Sequence, residues 1–225
     1  MRNIHTHFVD NEGNSFQLLN RLFAEGPPGN PLQPFSIGMH PWHIDQHPNW
    51  QEELPKKIEK IAAHPSFMAI GECGLDKNTA ISLDLQTSVL NLHYDLALRH
   101  DKPMIIHCVG AFNALLNWKK SLEKPPPILV HGYEKKIDLL NDLLKAGFYV
   151  SFGAALCKNR PSLHQAFKEM PLERLFLETD EQTDYTIETI YEAAAAIKKI
   201  SVEAIEHQIV ANFNAFFGKD VQSEL

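Results

Sequence analysis

Cysteine is scarce in this chain of 225 residues, and nothing in the sequence resembles a membrane span. Cys73, Cys108 and Cys157 are an odd number without the spacing of a disulfide framework, so a reducing cytoplasm is the expected location. No apolar run approaches the roughly 20 residues that cross a bilayer, and the first residues lack the apolar core of a secretion signal. Positive charge is not in excess either: 21 Lys and Arg against 28 Asp and Glu leave a net charge of −7. That balance excludes a broad basic face of the kind that grips duplex DNA non-specifically, while a locally held phosphate stays compatible with it. Low-complexity runs, internal repeats and linker-like stretches are missing, so one domain over residues 1–225 is expected, with no obligate protein partner. What is present is 44% hydrophobic and 22% charged, the composition of a folded globular protein, with an ample 12 histidines.

Short apolar runs alternate with amphipathic segments along most of the chain. Strands are expected at 2–8, 34–40, 67–73, 102–108, 127–132, 147–153 and 174–180. Most are bounded by Gly or Pro, and several are apolar throughout, as buried parallel strands are. Helical spacing covers 50–64, 82–100, 111–122, 134–146, 161–170, 183–199 and 201–217, the last followed by Gly218 as a C-cap. Seven strands fall one short of a (β/α)8 barrel, and "FQLLNRLF" at 16–23 supplies the eighth, entered by the turn-rich "DNEGN" at 10–14. The Pro- and Gly-rich stretch that follows is too short for an ordinary helix. The expected fold is therefore an α/β TIM barrel whose first two helices are missing or shortened, with a flavodoxin-like open sheet as the alternative.

The strand ends carry the chemistry. "IHTH" places His5 and His7 on one face of the first strand, where two imidazoles suit a metal ion, although H-x-H also arises by chance. Further along, "AIGECGLD" ends in Glu72, "MIIHC" in His107, "ILVHG" in His131 and "LFLETD" in Asp180. Singly, each reads as readily as a core residue or a helix cap. Jointly, these buried ionisable groups at the C-terminal ends of strands are satisfied together by divalent metal. Nitrogen-rich ligation with carboxylates accepts Zn, Mn, Ni or, less readily, Mg.

The ordered motifs "HTH", "GMHPW", "AIGECGLD", "IIHC", "LVHG", "GFYVSFG", "LFLETD" and "NFNAFFG" resemble the TatD family of metal-dependent hydrolases, deoxyribonucleases of the amidohydrolase superfamily. The resemblance spans about residues 3–218. It implies a TIM barrel with two divalent ions and phosphodiester hydrolysis, often as a 3′–5′ exonuclease. By the same resemblance His5, His7, Glu72 and Asp180 hold one ion. Glu72 then bridges to a second ion bound by His107 and His131, with His40 beside the site. The chain departs from the family pattern where "HCVGAFNALL" lacks an Arg after His107, where "HGYEKK" follows His131, and in the short loop after Asp180.

On this reading the metal pair lowers the pKa of a bound water, Asp180 orients the water and takes its proton, and His40 donates to the substrate oxygens. The substrate is then a phosphodiester, such as a single-stranded DNA end, or a small molecule. Lys77, Lys135, Lys136, Lys158 and Arg160 follow strands and form a candidate phosphate-binding patch, and Trp42 a base-stacking surface. Equally, loop lysines are ordinary surface residues and Trp42 can simply close the barrel mouth. Glu178 suits either a partner for a ligand histidine or a structural ion pair. Cys73 and Cys108 point away from the ligand face, and His43, His47, His93, His100, His164 and His207 read as loop or helix-surface residues. Two alternatives stand beside the nuclease: an amidohydrolase cleaving a C–N bond in a small molecule, and a non-catalytic metal-containing binding protein.

Overall fold

The strands expected from apolar runs all form in the computed structural model, which describes residues 1–9 and 15–218. They are β1 (Arg2–Thr6), β2 (Phe16–Leu22), β3 (Phe35–Gly38), β4 (Phe67–Asp76), β5 (Met104–Val109), β6 (Ile128–Val130), β7 (Tyr149–Phe152) and β8 (Leu175–Leu177). The helices are α1 (Trp50–Ile61), α2 (Leu83–Arg99), α3 (Phe112–Ser121), α4 (Ile137–Lys145), α5 (Pro161–Glu169), α6 (Ile187–Lys198) and α7 (Val202–Phe217). Strand order follows chain order, the (β/α)8 order expected from the sequence. No helix interrupts residues 23–34, as the Pro- and Gly-rich composition required, and the expected 10–14 turn lies outside the described residues. Among the described residues no helix is long and apolar enough to cross a membrane.

Two compact units make up the chain: Asn20–Val130, and Met1–Leu19 together with His131–Leu225. In the Asn20–Val130 unit, β4 pairs in parallel with β3 and β5, and β5 with β6. Every residue of β3 and β6 is buried; β6 is accordingly apolar throughout, and in β3 the buried Ser36 donates to Asn20 Oδ1 (3.3 Å). α1 turns Leu54, Ile58 and Ile61 inward at helical spacing, and each fully buried aliphatic contributes about 1.5–3 kcal/mol of transfer free energy. In the other unit β1 pairs with β2, and β7 with β8. There α7 buries Ile205, Ile209, Phe213 and Phe216 along one stripe and ends at Gly218, whose φ of 65° is the left-handed C-cap that glycine adopts without a Cβ penalty.

Each unit turns the ends of its strands into polar ground. β1 is tied past the end of β8 by paired contacts: Asn3 Nδ2 donates to Thr179 Oγ1 (2.8 Å), and Thr179 N–H returns a hydrogen bond to Asn3 Oδ1 (3.1 Å). The backbone continues this tie, with Asp180 N–H donating to His5 O (3.0 Å) and His7 N–H to Asp180 O (3.1 Å). These bonds hold Asp180 at φ 55°, a left-handed conformation that is uncommon outside glycine and that Asp tolerates better than most residues.

Candidate metal centres

In the unit built on β1, β7 and β8, His5, His7 and Asp180 offer one ligand atom each within 4.8 Å of one another. Asp180 Oδ1 lies 3.5 Å from His5 Nε2 and 3.6 Å from His7 Nε2. Donors bonded to one ion at about 2.0–2.2 Å are separated from each other by about 3.0–3.6 Å, so these spacings are those of a ligand set. The His131 ring stacks beside His5 with centroids 4.3 Å apart, and His131, Glu178 and Asp180 form a second close group. Glu178 is fully buried. Its Oε1 accepts from Gly132 N–H (2.7 Å) and faces His131 Nδ1 at 3.5 Å, while Ser151 Oγ donates to Oε2 (2.5 Å). Glu178 is thus fixed by Gly132 and Ser151 and faces His131, a placement compatible with both roles expected for it.

The Asn20–Val130 unit carries its own cluster of His40, Glu72 and His107. Glu72 Oε1 lies 3.3 Å from His40 Nε2 and 3.0 Å from His107 Nδ1, again the spacing of ligands around an ion. Asn20 holds Glu72 from behind. Its Nδ2 donates to Glu72 Oε2, and its Oδ1 accepts from the Glu72 N–H, both at 3.0 Å. The neighbouring thiols of Cys73 and Cys108 are not among the clustered donors. Burial, followed by the adjacent Glu72 carboxylate, pushes the Cys73 thiol far above its ordinary range and keeps it protonated. Imidazole and carboxylate donors without thiolate fit the divalent ions expected from the sequence.

Behind His107 stands Asp76, which is not among the site residues expected from the sequence. It is completely buried at the last position of β4. Its Oδ2 accepts from Trp42 Nε1 (2.6 Å) and contacts His107 Nε2 (3.0 Å), and its Oδ1 accepts from Asn78 N–H (2.7 Å). Burial opposes its ionisation, but the hydrogen bonds from Asn78, His107 and Trp42 prevail and hold the carboxyl below the usual range. Asp76 was legible in principle, because residues 72, 74 and 76 share one strand face.

His93 is also not the surface residue its helix suggested. It is fully buried on α2, accepts from Met39 N–H at Nε2 (3.0 Å), and its Nδ1 donates to Val89 O (2.8 Å). It therefore fixes the backbone immediately before His40. Its position on the apolar stripe of Val89, Leu96 and Ala97 was the available signal. Desolvation lowers its pKa to about 4. Because the unfolded imidazole titrates near 6.5, the unfolded chain binds more protons between those values. Stability is therefore complete above about pH 6.5 and falls as the pH drops toward 4, by about 3 kcal/mol from this residue. Urea unfolding of wild type and His93→Gln across pH 4–7 should show a shallower pH slope in the variant. Parallel slopes would show that His93 does not titrate on unfolding.

The expected substrate contacts divide. Lys77, Lys135, Lys136 and Lys158 are exposed after strands, Lys77 immediately beyond Asp76. Arg160 instead pairs through Nη1 with Glu134 Oε2, so its charge is already matched by a neighbouring carboxylate. Trp42 is 54% exposed although its indole N–H is held by Asp76, and its ring lies 5.1 Å from that of His40.

Comparison with known proteins gives the family and the fold. The family model described as TatD related DNase matches residues 30–218. The 3′-5′ ssDNA/RNA exonuclease TatD of Yersinia pseudotuberculosis is 33% identical over 152 residues, 64% of this chain and 56% of that protein. The chain thus matches little more than half the length of that relative. An uncharacterised metal-dependent hydrolase of Buchnera aphidicola is 29% identical over 206 residues, 84% of this chain and 76% of the relative. Among solved structures, a TatD family hydrolase from Entamoeba histolytica superposes with a TM-score of 0.75 at 17% identity, covering 96% of this chain and 97% of that one. A TatD homologue from Escherichia coli K12 gives 0.72 at 20% identity, covering 90% and 86%. These likenesses show the fold, the TIM-barrel class expected from strand count and order. Histidines and carboxylates at the strand ends, a matching fold and a family match over most of its length place the chain in the TatD related DNase family.

Proposed function

We propose that the chain is a hydrolase that uses two divalent ions, one on each cluster, and cleaves phosphodiester bonds, most readily from the 3′ end of a single-stranded nucleic acid. The observation that carries this reading is the pair of imidazole–carboxylate sets, His5/His7/Asp180 and His40/Glu72/His107, in each of which one carboxylate oxygen lies 3.0–3.6 Å from both histidine nitrogens. The name of the Yersinia relative supports the choice of substrate. Bound divalent ions supply Lewis acidity toward phosphate oxygens and acidify water at neutral pH. The remaining work falls to the chain. Asp180, whose side chain is 36% exposed where its partners His5 and His7 are more enclosed, is the carboxylate that orients the attacking water and takes its proton. His40, 8% exposed, serves here as a donor to the ion rather than to the substrate, because its Nδ1 already accepts from Trp42 N–H (3.2 Å) and its Nε2 faces Glu72. Lys77, Lys135, Lys136 and Lys158 attract the phosphate backbone. Trp42 stacks a base, and each such contact is worth about 1–3 kcal/mol. The reducing compartment expected from three free cysteines makes the cytoplasm the proposed location.

The test is a 3′-labelled single-stranded oligonucleotide incubated with the metal-reconstituted chain and with His107→Ala, which removes one donor of the His40/Glu72/His107 set. Stepwise loss of label from the 3′ end, absent in the variant, is the expected result. An intact oligonucleotide with metal demonstrably bound would overturn the nuclease reading and send the screen to phosphate monoesters and to small amides, the substrates of the amidohydrolase alternative.

A further inference from the structure

We infer that Asp76 is a positioning residue with two clients: it sets His107 for metal binding and holds Trp42 as a fixed aromatic surface, so that events at the metal cluster reach the indole through one carboxylate. The inference rests on the metal-binding part of the proposed function and names residues that reading does not require. The starting point is the hydrogen-bond inventory of Asp76. Trp42 Nε1 and the Asn78 backbone are donors only, and they occupy Oδ2 and Oδ1 respectively. Both oxygens therefore act as acceptors, and the contact of Oδ2 with His107 Nε2 at 3.0 Å is made by an Nε2–H that donates. With the proton on Nε2, the neutral ring presents its lone pair at Nδ1. Nδ1 is the atom 3.0 Å from Glu72 Oε1, inside the His40/Glu72/His107 group. A carboxylate behind a ligand histidine fixes both tautomer and ring orientation and makes the imidazole a better donor.

The backbone of Asp76 is fixed as firmly as its side chain. Gln86 Oε1 accepts from Asp76 N–H (2.7 Å), and Gln86 Nε2 donates to Asp76 O (2.9 Å). Gln86 is itself fully buried. Trp42 gains from the same anchor. An indole that is 54% exposed would ordinarily sample several rotamers, and a buried acceptor for its N–H removes that freedom before any ligand arrives. Trp42 and His107 share the single atom Oδ2, and their rings lie 6.2 Å apart. Any shift of His107 on taking up an ion therefore changes the hydrogen bond to the indole.

Three measurements on the full chain test this, and none uses a nucleic acid. In the zinc-loaded chain with 15N-labelled histidine, long-range proton–nitrogen correlation should place the His107 proton on Nε2; a proton on Nδ1 would overturn the inference without any substitution. Calorimetric titration with Zn2+ should show one binding step weakened about 10–100-fold in Asp76→Asn, because a carboxamide keeps only one oxygen acceptor, and altered by a smaller factor in Trp42→Phe, because the indole N–H shares Oδ2 with His107. Unaltered affinity in an Asp76→Asn chain whose circular dichroism matches wild type would equally sink it. With Trp50→Phe and Trp118→Phe leaving Trp42 as the reporter, Zn2+ should shift the emission at the concentration that fills the His107 cluster, and emission indifferent to zinc would disprove the coupling. A chain that passes all three yet leaves oligonucleotides intact keeps this inference and loses the exonuclease reading.

Discussion

Asp180→Asn should lower the cleavage rate of a single-stranded oligonucleotide by about 10²–10⁴-fold, the range lost when a general base is removed. It should do so with little change in the stability of the metal-free chain. The separation of these effects comes from the backbone. Asp180 sits at φ 55°, and Asn is at home in that region, so the turn past β8 and its two bonds to β1 survive the change. What is lost is the negative charge facing His5 and His7 at 3.5 and 3.6 Å. Asp180→Ala is the instructive contrast, because alanine in a left-handed conformation adds about 1–2 kcal/mol of strain. Rates are measured at saturating metal and thermal unfolding without it. If Asp180→Asn with bound metal still cleaves at the wild-type rate, Asp180 is not the proton acceptor.

The largest structural effect is expected at a glycine. Gly74 has φ 150°, and a Cβ built there would lie 2.0 Å from the carbonyl oxygen of His107. The obstacle is backbone on the neighbouring strand, which a rotamer change cannot relieve. Gly74→Ala should therefore cost about 3 kcal/mol or more from overpacking and φ strain together, a fall in Tm of about 6–12 °C for a chain of this size. Gly147→Ala serves as the control. Its φ is 82°, but its Cβ would meet nothing within 4 Å, so only the conformational cost remains. Equal losses at the two positions would show that the close approach of β4 to β5 is not limiting. Gly74→Ala should also reduce metal content, because His107 is displaced relative to Glu72, and atomic emission on the purified chain reads that directly.

The same approach of β4 to β5 explains why Asp76 is not among the site residues expected from the sequence. Apolar composition ends near Cys73, so the strand is expected to stop there. Pairing carries it on, with Gly74 opposite His107 and Asp76 opposite Val109. Asp76 is thereby drawn into the interior beside a histidine 31 residues away. The spacing of residues 72, 74 and 76 marks which face Asp76 takes if the strand continues, but whether the strand continues and buries it depends on the partner strand. The capture of Arg160 by Glu134, across 26 residues and two loops, has the same origin.

By itself the sequence determined the number, kind and order of the elements, because hydrophobic period and Gly/Pro punctuation are local properties. It also determined the chemical types at the strand ends, since His5, His7, His107, His131, Glu72 and Asp180 are written there whatever their neighbours. Only the tertiary structure decided which atoms face one another: His40 with Glu72, Asn20 behind it, Glu178 at His131, His93 under Met39, and Asp76 between His107 and Trp42. Those pairings are set by strand register and by the direction of each Cβ in the packed sheet, and neither is encoded within any single segment.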